Sequence, residues 1–169
     1  TAVPVDNGIY DAAGNEASTS QSNNTATLND KAAPTVTFSP ANNATGVAVD
    51  RNITITFNEA VQKIDDSALT DTNVDALVTL KTTNASGSDI SFDATINDGK
   101  TVITINPSSD FSSEQVVYVA IGATVEDTAG NAIAASNITF TVLNTAATSV
   151  TFSPADGATD VSGSSNVTI

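Results

Sequence analysis

The sequence contains no cysteine, histidine, methionine or tryptophan. Without cysteine there is no disulfide framework, and without cysteine or histidine no thiolate or imidazole zinc site can be built. The same absences close the Ser-His-Asp and Cys-His routes to an activated nucleophile. Basic residues are scarce: five lysines and arginines stand against 19 acids, for a net charge of −14. A surface of that sign repels nucleic acid and anionic membranes. It leaves carboxylates as the available ligands, and these suit hard cations such as calcium. Aromatic residues are few, six Phe and two Tyr, so little remains for stacking on a sugar once a core is filled. No signal peptide and no membrane-spanning run is visible.

Apolar residues make up 40% of the 169 positions and charged residues only 14%. Thr, Ser, Asn, Ala and Gly fill most of the rest, a balance that suits short strands with one buried and one wet face. The length accommodates one domain with pieces of others.

The chain repeats itself. Thr35-Val36-Thr37-Phe38-Ser39-Pro40-Ala41 returns as Ser149-Val150-Thr151-Phe152-Ser153-Pro154-Ala155, 114 positions on. Asn52-Ile53-Thr54-Ile55 matches Asn166-Val167-Thr168-Ile169 at the same spacing. Asp11-Ala12-Ala13-Gly14-Asn15 matches Asp127-Thr128-Ala129-Gly130-Asn131, 116 positions on. The near-equal spacings predict three portions. Residues 1–33 hold the last two strands of a repeat and a linker. Residues 34–144 form a complete repeat, and 145–169 hold a linker and the first strands of another. The expected parent is longer than this chain, and each end portion lacks the strands that would order it.

Within the complete repeat, period-2 alternation marks seven strands. Their inward residues are Val36 and Phe38; Ile53, Ile55 and Phe57; Val78 and Leu80; Ile90, Phe92, Ala94 and Ile96; Ile103 and Ile105; Val117, Val119 and Ile121; and Ile138, Phe140 and Val142. Asn97-Asp98-Gly99-Lys100 predicts a tight hairpin, with Gly supplying positive φ. One helical turn is allowed for in 61–69. Seven short strands with polar turns predict an all-β, two-sheet sandwich. Phe38, Phe57 and Phe140 are expected to anchor it, each contributing about 1.5–3 kcal/mol on burial.

Four motifs occur in order: Pro34 to Pro40, Gly46–Val49, Ile53–Glu59 and Asp127–Asn131. On these the chain resembles the SbsA-type Ig-like family, the bacterial Ig-like repeats of S-layer proteins and giant surface adhesins. The resemblance implies a seven-stranded immunoglobulin-like β-sandwich in a tandem array, outside the cell at a bacterial surface. It implies a structural spacer, stalk or assembly module rather than an enzyme, with neighbouring repeats or adjacent subunits as partners. The alternatives are a glycan- or protein-binding module, or an accessory domain of a large secreted hydrolase.

The Asp127–Asn131 loop carries two readings. As a turn, Asp127 caps backbone amides and Gly130 supplies positive φ. As a metal site, the loop before the last strand lies at the end of the sandwich where the first strand begins, beside the linker bearing Asp30. Glu59 follows the second strand at that end. Asp30, Glu59, Asp127 and Asn131 then offer oxygen ligands for one calcium ion. Asp65-Asp66 and Asp71-Thr72-Asn73-Val74-Asp75 lack the Gly and terminal Glu of a calcium loop and read as solvated loops. Asp71 and Asp75 are a fallback ion site. The second linker, Leu143–Thr148, has neither the acid nor the Pro of the first, so the two junctions should differ in stiffness and ion binding.

Overall fold

The structure, a computed structural model, describes residues 11–15, 30–164 and 166–168. Of the two strands expected in 1–33, only the turn 11–15 lies within the described residues. Ten strands are present among the described residues: β1 (Val36–Ser39), β2 (Ala44–Val47), β3 (Ile53–Phe57), β4 (Gln62–Lys63), β5 (Val78–Thr82), β6 (Phe92–Ile96), β7 (Val102–Pro107), β8 (Val116–Ile121), β9 (Val125–Glu126) and β10 (Ser136–Val142). They form two four-stranded sheets, ordered β1-β3-β7-β6 and β2-β10-β8-β5, and a small pair β4-β9. All pairings are antiparallel except β2 with β10, which is parallel.

Alternation builds the core. Ile53, Ile55 and Phe57 of β3 lie beside Ile103 and Ile105 of β7 in one sheet and share the core with Val117, Val119 and Ile121 of β8 and Ile138, Phe140 and Val142 of β10 from the other, all buried. Phe38, Phe57 and Phe140 are the expected anchors, at 8%, 2% and 1% exposure. Phe111 joins them edge-to-face on Phe140, ring centroids 5.7 Å apart and planes at 75°. Such a pair adds about 0.5–1.5 kcal/mol beyond area burial.

The three strands beyond the expected seven are short or weakly apolar. β2 reads Ala-Thr-Gly-Val and borrows its register from β10; β4 and β9 have two residues each. Where a helical turn was allowed for in 61–69, the chain instead forms β4 and a tight turn closed by the amide of Asp66 on the carbonyl of Lys63. The 3-10 turn comes later, at Asp75–Leu77. The alternation Ile90–Ile96, read as one strand, divides between two sheets. The Ile90 amide bonds the Leu80 carbonyl on the edge of β5, whereas β6 starts at Phe92 and pairs with β7. The Asn97–Lys100 hairpin forms, but the left-handed residue is Lys100, at φ 55°, rather than Gly99. Asn97 Oδ1 accepts the amides of Thr101 and Val102 and holds the loop without that glycine.

The 71–75 loop is not merely solvated. Asp75 Oδ1 accepts the Ala94 amide at 2.7 Å and Asp71 Oδ1 the Ile96 amide at 2.9 Å. β6 is a sheet edge, and these two carboxylates cap outward-facing amides that would otherwise be open to another strand.

Residues 148–168 contain no strand among the described residues. One bridge joins Ser153 to Thr168 through two backbone hydrogen bonds of 3.1 and 2.9 Å.

Candidate metal centre

The site begins with a turn. Asp127 Oδ1 accepts the amides of Ala129 at 2.8 Å and Asn131 at 2.9 Å, while its carbonyl accepts Gly130. Asn131 Nδ2 donates to Asp127 Oδ2 at 2.8 Å. Gly130 has φ 84°, a conformation in which a side chain would be strained. The Asp11–Asn15 loop repeats every element. Asp11 Oδ1 accepts Ala13 and Asn15, each at 2.9 Å; Asn15 Nδ2 donates to Asp11 Oδ2 at 2.9 Å; and Gly14 has φ 84°. The motif is therefore a self-contained Asp-capped turn, set by its own five residues.

The surroundings separate the two copies. Asp11 is exposed, whereas Asp127 is buried at 2% exposure. At Asp127 the linker and the loop after β3 converge: oxygens of Asp30, Glu59 and Asp127 all lie within 4.8 Å of one another. Asn131 ties the linker down, its Nδ2 donating to the Asp30 carbonyl at 3.2 Å. Asn58 ties it from the other side. Its Oδ1 accepts the Thr35 amide at 2.6 Å and its Nδ2 donates to Glu59 Oε1 at 3.4 Å. Sequence reasoning missed Asn58; its only signal was a side-chain amide next to a candidate acid.

Of the four residues expected around an ion, three present carboxylate oxygens to a common point. Asn131 presents its nitrogen, as donor to Asp30 and Asp127. Its place in this geometry is that of a clamp. The donor set is hard oxygen and tri-anionic, which fits a calcium-sized cation and no soft metal.

Electrostatics at Asp127 is governed by the turn. Hydrogen bonds from the Asn131 amide, then from the Asn131 side chain, hold its carboxyl below the usual range, against burial, which pushes it up. Asp11 is lowered by the same partners, with the Asn15 side chain leading. Asp65, at about 2, is lowered by Ser67 and by Lys63, an ion pair at 3.1 Å away from this cluster. The other ion pair among the described residues, Lys81–Asp89 at 2.8 Å, involves neither the linker nor the Asp127 turn. Asp71 and Asp75, the fallback pair, spend an oxygen each on β6 amides.

Comparison with known proteins follows the fold. No curated protein matches the chain. Among solved structures it is similar to CopC from Methylosinus trichosporium OB3b, at 14% identity and a TM-score of 0.45, over 69% of this chain and 99% of that one. It is also similar to the LD transpeptidase LdtMt1 in complex with imipenem, at 19% identity and a TM-score of 0.39, over 65% of this chain and 40% of that one. Neither likeness is close enough to carry function. Residues 30–142 match the bacterial Ig-like domain as a family, a span that begins at Asp30 and ends with β10. The chain belongs to the bacterial Ig-like domain family.

Proposed function

We propose that the chain is a spacing segment of an extracellular bacterial surface protein, one unit of a tandem array whose first junction is stiffened by calcium. Domains of this family occur in bacterial surface proteins and are typically non-catalytic. Among the described residues no helix is long and apolar enough to cross a membrane. The observation that carries the reading is the meeting of Asp30, Glu59 and Asp127. One acid comes from the linker and two from loops of the sandwich, so a cation held among them fastens the linker to the domain. Without a cation, three like charges at that separation repel, and the linker is held by Asn131 and Asn58 alone.

Phe38, Phe57, Phe111 and Phe140 are all consumed by the core, which leaves few aromatics for a sugar platform. Neighbouring repeats are the partners this reading requires. The test is mechanical. The chain is stretched between handles at its ends in millimolar calcium and again in EDTA. Calcium should raise the force at which the first junction yields, and Asp30→Asn should remove that increment. Equal force traces in the two buffers would remove calcium from the reading.

A further inference from the structure

The hairpin between β6 and β7 leaves two residues out of its own hydrogen bonds. The Asn97 amide donates to the Val102 carbonyl and the Lys100 amide to the Asn97 carbonyl, each at 3.0 Å. Asn97 Oδ1 accepts the amides of Thr101 at 2.8 Å and Val102 at 3.0 Å, and Asn97 Nδ2 donates to Thr101 Oγ1 at 3.0 Å. These bonds bracket Asp98 and Gly99 and engage neither. Among the described residues the Gly99 amide donates to no oxygen, and the Asp98 carboxylate takes no hydrogen bond and no ion pair. Both residues are exposed.

Asp98 is also the one acid in residues 30–142 that precedes a glycine. Asp71, Asp75 and Asp127 each spend an oxygen on a backbone amide and are followed by Thr, Ala and Thr. The distinction is chemical. A backbone nitrogen can close a five-membered ring onto the Cγ of the aspartyl residue before it, and glycine, with no Cβ, crowds that approach least. In protonated Asp98 the Gly99 nitrogen bonds Cγ, the Cγ–OH bond breaks, and the proton of the nitrogen leaves with the hydroxyl as water. Water then opens the cyclic imide at one of its two carbonyls. Opening at Cγ restores aspartate. Opening at the main-chain carbonyl of Asp98 leaves the chain running through Cγ, which is isoaspartate. One water is lost and one regained, so the mass is unchanged and no other reactant is needed.

The hairpin tip is not isolated. The Phe57 amide donates to the Thr101 carbonyl at 2.8 Å and the Val61 amide to the Lys100 carbonyl at 3.0 Å. Both ends of the loop carrying Glu59 thus hang on the two residues that follow Gly99.

We propose that Asp98 is a site of spontaneous isomerisation to isoaspartate in the folded chain, and that the extra main-chain carbon loosens the bond from Val61 to Lys100. The isomerisation is independent of calcium; its bearing on a cation at Glu59 rests on the function proposed above.

The full chain is aged in warm, mildly acidic buffer beside Gly99→Ala and Asp98→Glu. A Cβ at position 99 meets nothing nearer than 3.7 Å, and the left-handed residue of the turn is Lys100, so Gly99→Ala fits the hairpin. Circular dichroism melts verify that both variants keep the wild-type fold. Trypsin releases residues 82–100, and electron-transfer fragmentation tells isoaspartate from aspartate, with Asp89 and Asp93 as controls in the same peptide. The wild type should accumulate isoaspartate at 98 and not at 89 or 93. Gly99→Ala should form several-fold less, and Asp98→Glu none at that position. Hydrogen exchange of the Val61 amide should quicken in the aged wild type. A folded chain that keeps aspartate at 98 over a period in which the same chain isomerises in urea would overturn the modification. So would a Gly99→Ala chain that reacts as the wild type does. Unchanged exchange at Val61 in a chain isomerised at 98 would overturn the link to the loop.

Discussion

Residues 36–54 and the described residues of 150–168 have closely related sequence and share left-handed turns, yet Phe38 and Ile53 are buried in a core whereas Phe152 and Val167 are exposed. The turns are alike because they are local. Left-handed φ at 43 and 46, or at 157 and 160, needs only Gly, Asn or Asp at those positions. Burial is not local, since Phe38 is covered by strands from elsewhere in the unit. Turn chemistry is therefore set by the residues of the turn itself, and strand burial by strands elsewhere in the unit. The two Asp-capped loops teach the same lesson. Asp11–Asn15 and Asp127–Asn131 share every internal hydrogen bond, but the described contacts place linker and loop acids only at Asp127.

The sharpest way to break the comparison is to make one substitution in both copies. Phe38→Ala should destabilise the sandwich by about 3–5 kcal/mol, a loss read by chemical denaturation. Phe152→Ala should leave that transition within about 0.5 kcal/mol. Equal effects would mean that 150–168 is packed after all.

Asp127→Ala should come next in size, because it removes the cap of a buried turn together with the clamp partner of Asn131. Asp11→Ala, in the exposed copy, should leave the melting temperature unchanged. The pH dependence follows with a definite sign. Asp127 is held below its unfolded value, so its contribution is complete above the unfolded value of about 3.9 and fades as the pH falls through the lower folded value. The melting temperature measured downward from pH 6 should therefore fall more steeply in the wild type than in Asp127→Asn.

A smaller effect is expected at the sheet edge. Asp75→Ala and Asp71→Ala each uncap one β6 amide, at about 1 kcal/mol apiece. The double variant should also aggregate faster on mild heating, read by light scattering, because an edge is then free to pair. Unchanged scattering would show that β6 is protected by other means.

Much of this architecture was legible in the sequence, and the failures have physical reasons. Alternation exposed β3, β7, β8 and β10 because each buries most of one face. β4 and β9 escaped because two residues have no period, and β2 because its register comes from β10. Ile90 misled because alternation does not record a crossing between sheets. Phe111 lies outside any strand, so no pattern marked it, yet it packs on Phe140. Of the candidate site, the end-of-sandwich argument selected Asp30, Glu59 and Asp127 from topology alone. The donor role of Asn131 was not legible, since an amide side chain offers both an acceptor and a donor and only the fold decides which is used.

The account turns on whether the junction at Asp30 holds a cation, and a melting curve tests that most directly. The chain is heated in millimolar calcium and in EDTA, beside Asp30→Asn. The account predicts a higher melting temperature in calcium for the wild type, as ligand binding to the folded state requires, and no shift for the variant. Identical melting of the wild type in the two buffers would contradict it and leave Asp127 as the cap of a turn.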